Sequence, residues 1–148
     1  MRRSLVVGVG NPLREDDGVG WHLAEALAQT GVPTHTCHQL LPELAAELSQ
    51  VDLVLFVDAR AEGPPGQVLL QTLAPGDTPG YSHHLNAPGL LAWVRALYGH
   101  CPQAHLLSVA GAAFGYREGL SPAVEAALPA ALQQARILLQ LEKETVHA

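Results

Sequence analysis

Short apolar runs and amphipathic segments alternate along this chain. Runs rich in Val and Leu predict buried strands over residues 4–8 and 53–57, and the second run is the most apolar strand candidate of the sequence. Leu23 and Leu27, four residues apart, predict a helix over 19–30 that ends before a glycine. The same patterns predict further strands at 34–39, 66–72 and 105–109, and further helices at 42–49, 90–98 and from Pro122 onward.

This order of elements determines the expected fold class. Strands that alternate with crossover helices form a mostly parallel sheet with helices on both faces, so we expect an α/β fold, a three-layer α/β/α sandwich. The chain has 148 residues, which suits a single domain over 1–148. A chain of this length buries enough surface to fold without metal or disulfide crosslinks.

The composition narrows the functional classes. Apolar residues make up 48% of the chain and charged residues 15%, which argues against disorder. No apolar run approaches the roughly 20 residues that span a bilayer, and no signal-peptide segment precedes the first strand, so we expect a cytoplasmic protein without membrane contact. The net charge of −6 disfavours nucleic acid as a partner. Cys37 and Cys101 have no CxxC spacing, and we expect them to be reduced thiols.

Three polar residues are predicted to meet at one edge of the sheet. Asp17 follows the first strand, Asp58 is predicted to end the third, and His84 lies in the loop before the third helix. In parallel α/β sheets, ligands bind in the crevice beyond the carboxyl ends of the strands. Two carboxylates and one imidazole form a partial ligand set for nickel or zinc, with coordination positions left for water or for a partner's ligand.

Each of these residues alone also has an ordinary structural interpretation. Asp17 suits a helix N-terminus, Asp58 suits a turn after a strand, and His84 suits an exposed loop. A charge at the end of a very apolar strand is harder to explain structurally, because the neighbouring residues give no reason for it. The combination therefore favours a site over three unrelated surface residues.

The chain resembles a known family at several motifs. The segment 8–20, Gly-Val-Gly-Asn-Pro-Leu-Arg-Glu-Asp-Asp-Gly-Val-Gly, resembles the opening signature of the hydrogenase maturation proteases. These endopeptidases trim the C-terminus of the large subunit of nickel–iron hydrogenases. The resemblance extends to Val57-Asp58-Ala59, to Ser82-His83-His84, and to Gly119-Leu-Ser-Pro122 before the last helix.

The resemblance implies a site and a partner. It implies a twisted five-stranded sheet between helices, with Asp17, Asp58 and His84 as the nickel-contacting residues. Asp16 is the weaker candidate beside Asp17, and His83 is a possible supporting residue beside His84. It further implies that the partner is a hydrogenase large-subunit precursor, whose installed nickel is the recognition feature for cleavage. The free protein would then not hold nickel permanently.

Two mechanisms are open at the level of sequence. Nickel could polarise the scissile carbonyl or activate water with one carboxylate as general base, or Asp17 and Asp58 could act as an aspartic dyad if they approach within hydrogen-bond distance. The chain has no Gly-x-Ser-x-Gly elbow and no His-Glu-x-x-His motif. Serine and zinc peptidase mechanisms therefore lack their own residues.

Three other functions fit parts of the sequence. A dinucleotide site would need a third glycine where Leu13 stands. Peptidyl-tRNA hydrolases share Gly8-Val-Gly-Asn-Pro12, but the acidic run 15–17 would repel tRNA. A checkpoint protein that docks on the nickel-loaded precursor without cutting it would use the same three ligands as the protease. The His38–Leu44 segment resembles a Pro-Glu variant of the family, while the hydrogenase served, the cleaved bond and the oligomeric state are not indicated by the sequence.

Overall fold

One five-stranded sheet organises the molecule. The computed structural model describes residues 2–79 and 85–140, so His83 and His84 lie outside the described residues. The strands are β1 (Ser4–Val9), β2 (Thr34–Cys37), β3 (Leu53–Arg60), β4 (Val68–Leu73) and β5 (Gln103–Ala110). The helices are α1 (Val19–Ala28), α2 (Leu44–Leu48), α3 (Ala87–Tyr98) and α4 (Pro122–Leu139), and a 3₁₀ turn (Glu15–Gly18) precedes α1.

The strand order is β2-β1-β3-β5-β4. The first four strands in this order pair in parallel, and β4 pairs antiparallel with β5 at one edge. The mostly parallel, five-stranded sheet expected above is confirmed. Because the parallel strands end on the same side, their carboxyl ends form one edge of the sheet.

Helices cover both faces of the sheet, as the three-layer prediction requires. Alternate β3 residues point to opposite sides, with Leu55 and Val57 in a core beneath α1 and α4, and Val54 and Phe56 in a core beneath α2 and α3. These β3 side chains are at most 1% exposed. Burial on both faces explains why this strand is a continuous apolar run in the sequence.

The predicted end of β3 at Asp58 is wrong. The strand continues to Arg60, because β5 stays paired with it through Asp58↔Ser108 and Arg60↔Ala110. Its other neighbour, β1, pairs with it only as far as Gly8↔Val57. Asp58 therefore lies inside a strand, one residue beyond the point where the strand loses its neighbour on one side.

Helix α3 begins earlier than predicted, at Ala87 instead of residue 90. The Asn86 side chain caps this helix by accepting a hydrogen bond of 2.9 Å from the N–H of Gly89. Pro88 fits the first turn, where a missing N–H costs no intrahelical bond. Among the described residues, no helix is both long and apolar enough to cross a membrane.

Two glycines let the start of α1 approach the sheet. A Cβ at Gly20 would collide with the carbonyl oxygens of Val9 and Val57, and a Cβ at Gly10 would collide with the carbonyl oxygen of Asp17. Gly10 also has a φ of 138°, a conformation that side chains rarely adopt. The backbone around Asp17 can therefore pack directly against the ends of β1 and β3.

Candidate functional site

Asp17 lies in the 3₁₀ turn between β1 and α1. The N–H of Asn11 donates a hydrogen bond of 2.8 Å to its Oδ2. This bond joins the two ends of the β1–α1 connection and fixes the direction of the carboxylate. Oδ1 of Asp17 accepts no hydrogen bond from the described residues, so one oxygen of a partly buried carboxylate remains available for a ligand.

Asp58 lies on the face of β3 that α3 covers. Its Oδ1 accepts a hydrogen bond of 2.7 Å from the N–H of Ala59. The pKa of Asp58 is raised to about 7, mainly by burial; the hydrogen bond from Ala59 opposes this shift, and the negative charge of Asp17 adds to it. The structure thus brings the two predicted carboxylates close enough for their charges to interact.

Cys37, at the end of β2, is a third group near this edge. Burial raises the pKa of its thiol to about 11, and the charge of Asp58 contributes to the shift. The thiol is therefore protonated at neutral pH. Cys37 is a free cysteine, as is Cys101.

A cleft of about 330 Å³ lies beside Asp58. It extends along the α3 face of the sheet, with Val9, Phe56 and Leu106 as its floor. The connection from β2 to α2 and the first residues of α3 form its walls. A carboxylate at one end of a largely apolar cleft is the usual form of a ligand site.

Asp16 has a different environment from its neighbour Asp17. Its side chain is 0% exposed. Four hydrogen bonds of 2.7–3.0 Å reach its carboxylate, two from the N–H groups of Ala112 and Ala113, and two from the N–H and hydroxyl of Ser121. Burial alone would raise the pKa of Asp16, but these hydrogen bonds outweigh it and the pKa is lowered. Asp16 therefore fastens the 3₁₀ turn to the β5–α4 connection, and its oxygens are occupied.

Sequence reasoning missed this attachment. Ser121 also caps α4, where its hydroxyl accepts a hydrogen bond of 3.4 Å from the N–H of Val124. Glu15 adds to the attachment by accepting bonds from the N–H of Gly115 and from Nε of Arg117, at 2.7 and 2.8 Å. The acidic run 15–17 was the available signal, but its partners lie about a hundred residues later in the chain.

Arg60 is a second residue that sequence reasoning missed. Its guanidinium donates to the hydroxyl and carbonyl oxygen of Ser108, to the carbonyl and side-chain oxygens of Gln67, and to the carbonyl of Glu62. Ser108 is the β5 residue paired with Asp58. Arg60 thus holds the β3–β4 connection against the strand next to the site.

The third predicted ligand, His84, lies outside the described residues, as does His83. Within residues 2–79 and 85–140, no group of three His, Cys, Asp or Glu side chains is arranged to hold a metal. The structure brings Asp17 and Asp58 together and places Asp16 elsewhere. The complete set of Asp17, Asp58 and His84 stays a prediction.

Comparison with solved structures connects this fold to known proteins. The hydrogenase maturating endopeptidase HybD from E. coli is 27% identical in sequence, with a TM-score of 0.79 over 93% of this chain and 92% of that one. A hydrogenase 2 maturation peptidase from a Thaumarchaeota archaeon is 26% identical, with a TM-score of 0.68 over 95% and 99%. The fold and the sequence motifs of this chain are both similar to those of the hydrogenase maturation proteases. Its resemblance at the sequence motifs is thereby confirmed.

A more distant member of the hydrogenase maturation protease family shows the same fold. HybD from Thermococcus kodakarensis is 22% identical, with a TM-score of 0.74 over 92% of this chain and 98% of that one. No protein-family model and no curated protein matches the chain by sequence. The similarity to the hydrogenase maturation proteases therefore rests on the three-dimensional structure together with the motifs.

Proposed function

We propose that this protein is an endopeptidase that removes the C-terminal extension of a nickel-loaded [NiFe] hydrogenase large-subunit precursor. The observation that carries the proposal is the convergence of Asp17 and Asp58 beside an apolar cleft, in a chain whose fold and motifs are similar to those of the hydrogenase maturation proteases. The cleft provides space for a peptide segment. The two carboxylates provide both metal-binding oxygens and a base.

Nickel enters this proposal as part of the substrate. The electrostatics of the pair fit a docking cation, because the charge of Asp17 contributes to the raised pKa of Asp58, and a positive charge that arrives between the two carboxylates stabilises the ionised form of Asp58. Oδ1 of Asp17 accepts no hydrogen bond from the described residues and is open to such a contact, and His84 is predicted to supply a nitrogen. Recognition of nickel would then restrict cleavage to precursors that already contain the metal.

The hydrolytic step requires a base near the scissile carbonyl. No hydrogen bond joins the carboxylates of Asp17 and Asp58 in the part of the chain that the structure describes, so the geometry does not favour a dyad that shares one proton. We infer that Asp58, with a pKa near 7, takes the proton of the attacking water and returns it to the nitrogen of the departing amine as the C–N bond breaks. Nickel bound in the precursor would polarise the peptide carbonyl and hold the scissile bond in place.

The test is cleavage of a purified large-subunit precursor, prepared with and without nickel, with the products measured by mass spectrometry. We expect a C-terminal peptide to be released only from the loaded precursor. Asp17→Asn and Asp58→Asn should each lower the rate by about 100-fold or more. Glu25→Gln, an exposed carboxylate on the outer side of α1, should leave the rate unchanged.

Two outcomes would overturn the proposal. A stable complex with the loaded precursor and no released peptide would identify a checkpoint protein that does not cleave. Equal cleavage of loaded and nickel-free precursor would remove nickel from recognition, although the peptidase activity would remain. A cytoplasmic location stays a prediction.

A further inference from the structure

Strand β4 has an unpaired edge in the part of the chain that the structure describes. β4 is the last strand in the sheet and pairs with β5 on one side only among the described residues. Four of its six residues are exposed, and Leu69 and Leu70 are each 39% exposed. An edge of this kind is a template for pairing with another extended chain.

The hydrogen bonds at the start of β4 show which of its backbone N–H and C=O groups point away from β5. The N–H of Gly66 donates to the carbonyl of Ala110, and the N–H of Ala110 donates to the carbonyl of Gln67. In an antiparallel ladder, bonded and non-bonded residues alternate from such a point. Val68, Leu70 and Thr72 therefore direct their N–H and C=O groups away from β5, which leaves three donor and acceptor pairs for a new strand.

The sequence of β4 lacks the usual protection of an edge strand. Val-Leu-Leu-Gln-Thr-Leu contains no charged residue and no proline. Natural proteins commonly place such residues on free edges to prevent pairing with other chains. The absence of charge also means that a partner would be held by main-chain bonds and apolar contacts, which tolerate many sequences.

The edge is continuous with the candidate site. Leu69 pairs with Ser108, and Ser108 pairs with Asp58, so the three residues form one row across the sheet. Leu73, at the other end of β4, lines the same cleft as Asp58. An additional strand beside β4 would lie three strand spacings from Asp58, about 14 Å, a distance that about five residues of extended chain cover.

We propose that β4 binds the C-terminal extension of the substrate as an added β-strand. This inference rests on the proposed function. The removed extension is the end of a chain and is free to become extended, whereas the folded body of the precursor is not. With the scissile bond at Asp58, the extension crosses β5 and β4 and pairs with Val68, Leu70 and Thr72 from about its fifth residue onward.

The first test compares two substitutions at one position. Leu70→Pro removes an outward N–H, and proline is tolerated at such positions on edge strands. Leu70→Ala removes the side chain and keeps the N–H. We expect Leu70→Pro to raise KM for the nickel-loaded precursor by about tenfold or more, with kcat unchanged, and Leu70→Ala to raise it by less than about threefold.

The length of the substrate provides the matched control. On a precursor whose extension is truncated to three residues, the chain cannot reach β4, and wild type and Leu70→Pro should have the same KM. An equal effect of Leu70→Pro on both precursors would overturn the proposal. If the wild type cleaves neither precursor, that result contradicts the proposed function. The binding of the extension to β4 is then tested by hydrogen exchange instead of KM.

A second measurement does not depend on the proline variant folding. Hydrogen exchange of the Leu70 and Thr72 amides in the wild type should slow when a synthetic peptide of the extension is added. Unchanged exchange at saturating peptide would overturn the proposal. Protection that rises with protein concentration without peptide would show that a second copy occupies the edge, and would also overturn it.

Discussion

Ser121 donates two hydrogen bonds to the carboxylate of Asp16, from its N–H at 2.7 Å and from its hydroxyl at 2.8 Å, across 105 positions of sequence. Through this contact the start of α4 holds the turn that carries Asp17. β5 leads into the same connection and also pairs with Asp58 through Ser108. One strand and its following loop therefore position both carboxylates of the candidate site.

Asp16→Asn should destabilise the protein strongly. An asparagine keeps the size of the side chain but turns an NH₂ group toward backbone N–H donors, so at least one buried donor loses its acceptor. We expect the free energy of unfolding to fall by about 2–3 kcal/mol, as measured by urea denaturation near pH 7. Ser121→Ala removes only the hydroxyl bond to Asp16 and should cost about 1 kcal/mol.

The contribution of Asp16 to the free energy of unfolding should depend on pH in one direction. The folded-state pKa of Asp16 is lowered, so its stabilising effect is present above the unfolded pKa near 4 and is lost as pH falls through the lower folded value. The difference between wild type and Asp16→Asn should therefore shrink below pH 4. An Asp16→Asn protein as stable as the wild type at pH 7 would show that the hydrogen bonds contribute nothing.

Asp58→Asn should stabilise the metal-free protein in alkaline conditions. The pKa of Asp58 is raised from 3.8 to about 7, so the folded state binds the proton more tightly than the unfolded state. The contribution of Asp58 to stability is therefore greatest below about pH 4 and is lost as pH rises to 7. We expect the melting temperature of Asp58→Asn to exceed that of the wild type at pH 8, and the two to converge at pH 4. A lower melting temperature for the variant at pH 8 would contradict the environment described for this carboxylate.

Nickel titration by calorimetry tests the predicted ligand set without a precursor. Asp17→Ala, Asp58→Ala and His84→Ala should each weaken binding by about tenfold or more, since loss of a direct ligand costs at least as much as loss of a supporting group. His83→Ala should bind like the wild type if His84 supplies the nitrogen. His22→Ala, an exposed imidazole on α1, is the control for nonspecific effects. Binding like the wild type in two of the three ligand variants would separate these residues into different sites.

The periodicity of apolar residues was enough to predict the order of elements and the mostly parallel sheet. The end of β3 was not predictable, because β1 separates from it at Val57 while β5 continues beside it to Arg60. The local pattern of apolar and polar residues shows that Asp58 is polar. It does not show which of the two neighbouring strands, β1 or β5, remains paired with β3 beyond that residue.

Only part of the candidate site was predictable, because only part of it depends on residues that lie near strand ends. Asp17 and Asp58 lie near strand ends in the sequence, so the topology alone brings them to one edge. The role of Asp16 depends on Ala112, Ala113 and Ser121, whose distance in sequence hides the contact until the chain is folded. The five hydrogen bonds of Arg60 are hidden in the same way.

Gly20 lets the start of α1 lie directly against the ends of β1 and β3, because it has no side chain. The backbone at Gly20 contacts the carbonyl oxygens of Val9 and Val57 directly. The start of α1 is therefore separated from the sheet only by the thickness of the peptide backbone. Peptide dimensions are the same in every protein, whereas side-chain layers vary with each substitution. The distance between the start of α1 and the sheet therefore depends on backbone contacts and not on the size of core side chains. A single added methyl group at position 20 would be enough to change this distance.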